Sequence, residues 1–430
     1  AAQSPVRVTH NYTQLNLQDE QQLSDLKKDS TIVIYPYPMD FEITTPGTYY
    51  RHEEGQCDSC VTAQFASLKD GQRLPANIQT QILAKLYIPE EDAELYRYVG
   101  KAEADAFEDA ILTEAFRIVG LNIDENPGTG AQQRVAGSKW RPAGRIRVWD
   151  DVINSYVGVE GVEVKARRWF TTHKGFTNSN GDYSCDGEFR HDANYSLQWE
   201  RKHFSIRSGT YGQATYDGPK QRGNWNLDLN SGSHMFYARI FRAAHQYYYH
   251  NIDGLNRPPL NNSWFDPQLK IAAYNQSNSD INGVAAPWKR FLGLGNFIKL
   301  YNPQNSISAI HGTTIHELTH ASHWNMCSPK SNYNGSDDIV AESWARGVQW
   351  WLTRKYYPAY QPFYNNTYTG VVQDMVDGIA GYDQVQGYTI AQIEQGVKNK
   401  KTWATWRDNM INTYANATEG NLPALYTYWD

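Results

Sequence analysis

The stretch Ala309-Ile310-His311-Gly312-Thr313-Thr314-Ile315-His316-Glu317-Leu318-Thr319-His320-Ala321-Ser322-His323-Trp324 decides how the rest of the chain is read. Its centre is His316-Glu317-x-x-His320. Residues four apart on an α-helix lie one above the other, so the two imidazoles converge on one point at the ~2.0–2.1 Å that zinc requires. No proline interrupts residues 308–315, and residues 315–324 read as one amphipathic helix, so this geometry is available. Glu317 lies one residue round from the stripe, where it can take a proton from a metal-activated water without being a ligand itself. The plainer reading is a surface helix that happens to carry two His and a Glu. It is the weaker one, because His is costly to place twice on one helical face without a partner.

A catalytic zinc needs a third protein ligand and an open fourth position. After His320 the last histidine in the chain is His323, three residues further along the same helix. A rise of about 4.5 Å carries it nearly one turn beyond the pair, so it is poorly placed to close a tetrahedron. A carboxylate from a second helix is expected instead. The downstream acids are Asp337, Asp338, Glu342, Asp374, Asp377, Asp383 and Glu394. Ser336-Asp337 has the character of a helix cap, and Ile339-Val-Ala-Glu342-Ser-Trp-Ala-Arg346 continues as a helix. Glu342 sits between Ala341 and Ser343, small neighbours that let a facing helix come close, and is the preferred third ligand. Asp338, one turn earlier, is the substitute. An i,i+4 ion pair of Glu342 with Arg346 on a solvated face is the competing use of that residue.

With Glu342 following 22 residues after His320, the pattern resembles the gluzincin branch of the zincin metallopeptidases. The resemblance implies His316, His320 and Glu342 as zinc ligands, Glu317 as general base, and hydrolysis of a peptide bond. It also implies a Tyr or His after the glutamate ligand that stabilises the transition state. No His remains, and Tyr382 and Tyr388 are the candidates among the chain's 30 tyrosines.

Composition narrows the partners. Formal net charge is −6 and no block of like charges stands out, so nucleic-acid binding is not suggested. No apolar run approaches the 18 or so residues of a membrane span. The start Ala1-Ala-Gln-Ser-Pro5 carries no initiator Met or apolar core and suggests a signal peptide already removed, hence a secreted, cell-surface or periplasmic protein. Of the four cysteines, Cys57 and Cys60 form a Cys-x-x-Cys without a second one to complete a zinc tetrad. A structural disulfide is expected there, and Cys185 and Cys327 are expected to be buried free thiols.

The expected fold is multidomain α+β in three parts. Residues 1–140 form an α+β segment of unassigned role: extended over about 1–60, with helix formers over residues 79–86 and 90–119, closed by the breaker-rich Asn126-Pro-Gly-Thr-Gly-Ala. Residues 141–208 read as short strands of a small sandwich, with Asn180-Gly181 as a hairpin turn. Val159-Glu-Gly161-Val-Glu-Val, then Thr177-x-x-x-Gly181-x-Tyr183, resembles the transthyretin-like, carboxypeptidase-regulatory type of domain, which implies an accessory module. Residues 209–430 form the zincin-like catalytic domain. It opens with a helix over about 233–250, on which His234, His245 and His250 are expected to pack or face solvent. Strands at 268–274 and 296–301 follow, the latter expected at the sheet edge, where an extended substrate could pair. Trp- and Tyr-rich segments after Glu342 form a lower lobe.

These features point to an exported zinc metallopeptidase acting on peptides or proteins. The competing readings are an exported surface or glycan-binding protein with a structural or vestigial zinc site, and a zinc hydrolase acting on another bond. A fourth protein ligand such as His323 or Cys327 would favour the structural site.

Overall fold

The computed structural model describes residues 8–17, 20–29, 31–35, 62–87, 139–168, 171–208, 212–260, 268–275, 283–285, 298–301 and 306–430. The Cys57/Cys60 pair, the helix expected over 90–119 and the breaker run at 126–131 lie outside these residues. The protein is α+β with several sheets.

Near the N-terminus, β1 (His10–Leu17), α1 (Glu20–Lys27), β2 (Ile34–Tyr35), β3 (Thr62–Lys69) and β4 (Gln79–Leu86) build a sheet of order β2-β3-β1-β4. Leu15, Leu17, Leu26, Ile34 and Leu68 form its core. The residues of β4 were expected to be helical. They are instead a strand, antiparallel to β1 from Asn16↔Gln79 to His10↔Leu86. Eight residues with Thr80 and Ile82 among them gain more from an available ladder than from their modest helix propensity.

The next unit is a pair of facing sheets. β5 (Ala143–Asp150), β6 (Ser155–Gly158), β9 (Asp182–Ser184) and β15 (Trp225–Leu229) make one. β7 (Glu163–Arg168), β8 (Thr171–Phe176), β10 (Ala193–Gln198) and β14 (Thr215–Gln221) make the other. Ile146, Val148, Val164, Ala166, Tyr195, Leu197 and Leu227 are buried, as alternation on two inward faces requires. The expected turn at Asn180-Gly181 is present: Gly181 has φ +83° and Asn178 Oδ1 accepts from the N–H groups of Asn180 and Asp182. Its flanking strands, however, pair into different sheets, β8 with β7 and β9 with β5, so it is a corner and not a ladder hairpin.

The expected boundary at residue 208 does not separate the sheets. Between β10 and β14 the chain leaves the sandwich to form β11 (Glu200–Arg201), β12 (Phe204–Ser208) and β13 (Gly212–Gln213), which belong to the next sheet. That sheet has the order β11-β12-β16-β18-β17, with β13 on β12. Its later strands are β16 (Leu269–Tyr274), β17 (Gly283–Ala285) and β18 (Ile298–Tyr301). β18 was expected at the edge, but it is paired on both sides, parallel to β16 and antiparallel to β17. Among the described residues β17 ends this side of the sheet, and it packs alongside the helix that carries His316; β11 ends the other side.

The later helices are α2 (Gly232–Tyr249), α3 (Ile307–Met326), α4 (Ser331–Asn334), α5 (Asp338–Thr353), α6 (Val371–Val376), α7 (Ile390–Val397), α8 (Trp403–Thr413) and α9 (Leu422–Tyr428), of which α2 and α3 pack against this sheet. One continuous core runs from Ile146 and Val164 in the sandwich through Phe204 and Phe241 to Ile315, Trp344 and Trp406. Among the described residues no helix is long and apolar enough to cross a membrane.

Candidate metal centre

The helix of the His pair, α3, starts at Ile307, earlier than the 315–324 run indicated, because its first turn is capped from two directions. The Ser306 hydroxyl accepts from the Ala309 N–H at 3.3 Å, and Asp151 Oδ1, in the β5–β6 turn of the sandwich, accepts from the Ile307 N–H at 2.9 Å. Arg239 of α2 donates to the same Asp151 oxygen and to the Trp149 carbonyl. Gly312 lets the helix sit close to the lower lobe, since a Cβ there would lie 2.2 Å from the Tyr360 hydroxyl. Every residue of α3 from Thr314 to Trp324 is buried, so an all-round apolar and small-polar composition replaces the amphipathic stripe expected from the sequence.

α5 packs along α3 and brings Glu342 to the His pair. Asp337 occupies its N-cap without a side-chain cap bond. Glu342 Oε2 lies 2.9 Å from His316 Nε2 and 3.1 Å from His320 Nε2, and the two Nε2 atoms are 3.1 Å apart. Three donors at ~2.0–2.1 Å from a tetrahedral centre would be about 3.3 Å from one another. The triangle is therefore within a few tenths of an ångström of a ligated set. It also presents two imidazole nitrogens and one carboxylate oxygen to a single point, which is the donor chemistry of a catalytic zinc. The residues present fit the ion.

Electrostatics agree with a site built to receive a cation. Burial pushes His316 down to about 4, outweighing its hydrogen bond with Glu342, so the imidazole is neutral at neutral pH. Burial also opposes the charge on His320, but Glu342 beside it prevails and raises that imidazole. Glu342 is itself partly desolvated, yet His320 and His316 hold its carboxyl well below the usual carboxylate range. Glu317 is 5% exposed, and its charge is felt at His320, Tyr333 and Tyr368, which places it on the same side of the cluster.

A second layer surrounds the three. The Tyr333 hydroxyl is 3.2 Å from His320 Nδ1. For Nε2 to ligate, Nδ1 must carry the proton and the phenol oxygen must accept it. Tyr368 lies with its ring 5.8 Å from that of His316, and the Arg346 guanidinium covers it at 4.6 Å. Arg346 donates to Gln349, while the Glu342 oxygen that bonds faces the imidazoles, so the competing use of Glu342 in an ion pair with Arg346 is not the dominant one.

The remaining candidates fall elsewhere. Among the described residues the ligand group stops at His316, His320 and Glu342, and Asp338 is not in it. His323 is buried against the Tyr333 ring and pushed down to about 3 by burial; Cys327 is a buried free thiol, as is Cys185. Asp374, Asp377 and Asp383 form a separate cluster, and Glu394 accepts the backbone and side-chain N–H groups of Asn256. The two tyrosines proposed as transition-state stabilisers are not at the centre. Tyr382 donates to Asp374 and stacks on Tyr428, and Tyr388 is buried beside Met375 and Tyr426. The tyrosines that do lie beside the His pair are Tyr333 and Tyr368, and among so many tyrosines no local signal in the sequence singles them out.

Comparison of the chain with protein-family models, with curated proteins and with solved structures returned no match.

Proposed function

We propose that the protein is a zinc-dependent metallopeptidase of the gluzincin kind, with His316, His320 and Glu342 as the residues that hold the metal and Glu317 as general base. The observation that carries this reading is the convergence of the three donor atoms within 3.1 Å of one another. Zinc held there would supply Lewis acidity toward a water and a carbonyl oxygen. Glu317 would accept the proton of the attacking water and return it to the leaving amine. Tyr368, half-buried with its ring beside His316 and against Arg346, would donate a hydrogen bond to the developing oxyanion.

Two further features support a peptide as substrate. Among the described residues β17 ends its sheet on the side next to α3, which would offer an extended chain a backbone edge beside the proposed metal ligands. A donor set of three among the described residues supports catalysis over a closed structural site. The facing four-stranded sheets fit a transthyretin-like module, and the order of α2, strands, α3 and α5 fits a zincin-like unit.

The test is Glu317→Gln against the wild type, with zinc content measured alongside cleavage of fluorescein-labelled casein. Retained zinc with turnover down by about 10³-fold or more is expected from loss of the base. Near-normal cleavage by the variant would overturn the mechanism.

A further inference from the structure

A second group of His and Glu side chains lies far along α2, at its junction with the sandwich. Glu160 in the β6–β7 turn and His245 and His250 of α2 bring three potential ligand atoms within 4.8 Å of one another. His250 Nε2 is already 3.0 Å from Glu160 Oε2. Residues five apart do not share a helical face, but His250 is the C-cap, with φ −91° and ψ 176°, and this extended conformation swings its side chain toward that of His245. Sequence spacing alone could not show this.

The three residues line a cavity of about 600 Å³ that also receives Arg145, Arg147 and Arg242. Charge decides between an anion and a cation as occupant. Arg147 is paired with Asp228 by two hydrogen bonds of 2.8 and 2.7 Å, Arg145 with Asp182, and Arg242 with Asp150 at 3.7 Å. Each guanidinium thus has its own carboxylate, which leaves the charge of Glu160 facing two imidazoles. His245 is 7% exposed, no described residue hydrogen-bonds to it, and burial pushes it down to about 3, so it meets the cavity as a neutral imidazole. The Tyr356 hydroxyl lies 3.2 Å from His250 Nδ1, a second-layer contact that can accept the Nδ1 proton once Nε2 turns from Glu160 to a metal.

We propose that Glu160, His245 and His250 form a second divalent-metal site, suited to zinc by its two-nitrogen, one-carboxylate donor set, that clips the sandwich to the end of α2. Glu160 and His250 are about a third exposed and can turn to bring the donors to the spacing a metal needs, while the cavity leaves room for water as the fourth ligand. The clip acts on the catalytic unit through α2, which packs on α3.

The experiment uses the full chain carrying His316→Ala and His320→Ala, stripped with EDTA and titrated with Zn²⁺ against a chromophoric chelator, with Co²⁺ as a spectroscopic probe. One equivalent of Zn²⁺ is expected to remain, with a Co²⁺ ligand-field spectrum of a nitrogen/oxygen site. Adding Glu160→Gln should weaken it at least tenfold, and adding His250→Gln should abolish it. Circular dichroism and metal-free unfolding confirm that the variants fold, and the partly exposed Glu160 position keeps the test open if His250→Gln does not. A background protein that binds no Zn²⁺, or binds it equally well with Glu160→Gln, overturns the proposal. Because the first site is removed in every arm, that result is independent of whether the protein is a peptidase.

Discussion

Asp151 Oδ1 accepts the backbone N–H of Ile307 at 2.9 Å, so a turn of the sandwich caps the helix that carries His316 and His320. The same oxygen holds the buried Arg239 of α2. The sandwich is therefore part of what positions His316 and His320, the proposed metal ligands.

Asp151→Ala removes the cap and leaves Arg239 without its carboxylate, and is expected to lower stability by about 2 kcal/mol. Asp151→Asn keeps an oxygen acceptor for the Ile307 N–H and should lose less than half of that. Denaturant midpoints of the two variants check this, and equal losses would show that the cap contributes nothing.

Tyr333→Phe deletes the oxygen that accepts from His320 Nδ1 while preserving the ring against His323. Loss of such a second-layer partner is expected to weaken zinc binding by about 10- to 100-fold. Chelator competition measures it, and unchanged affinity would remove Tyr333 from the support of the site.

Tyr368→Phe should separate rate from binding. With the hydroxyl gone and the ring still between His316 and Arg346, kcat is expected to fall about 10- to 100-fold, with zinc content and KM little changed. The same substitution at Tyr382 or Tyr388, whose contacts lie in the C-terminal region, should leave kcat near the wild-type value.

Acid should weaken the fold through histidines held neutral. Burial pushes His311 down to about 3, against roughly 6.5 in the unfolded chain. Between those values the unfolded state binds the extra proton, so the contribution is complete above about pH 6.5 and is lost as pH falls, at up to about 1.4 kcal/mol per pH unit. His311 packs between Tyr356 and Tyr357. His311→Leu is expected to flatten the dependence of unfolding free energy on pH between 6 and 4, and an unchanged slope would exclude this residue as a source.

The centre was legible where its chemistry is local. A four-residue spacing on one helix determines how two imidazoles meet, and elimination of other histidines led to Glu342 on the neighbouring helix. What the chain could not reveal depends on tertiary packing. Tyr333 and Tyr368 resemble any other tyrosine until α4 and the loop after α5 fold over α3. The edge position went to Gly283-Val-Ala285, a strand of three residues too short to show alternation. Residues 79–86 became a strand because β1 offered them a ladder.

The excursion of β11, β12 and β13 out of the sandwich sets an order of assembly. β12 waits for its parallel partner β16, more than 60 residues downstream, and the sandwich is not closed until β15 pairs with β5. Emerging from a ribosome, the chain therefore holds an apolar strand with one unsatisfied backbone edge before the metal helix has been made. β12 thus completes its backbone pairing only after every strand of the sandwich is already present in the chain.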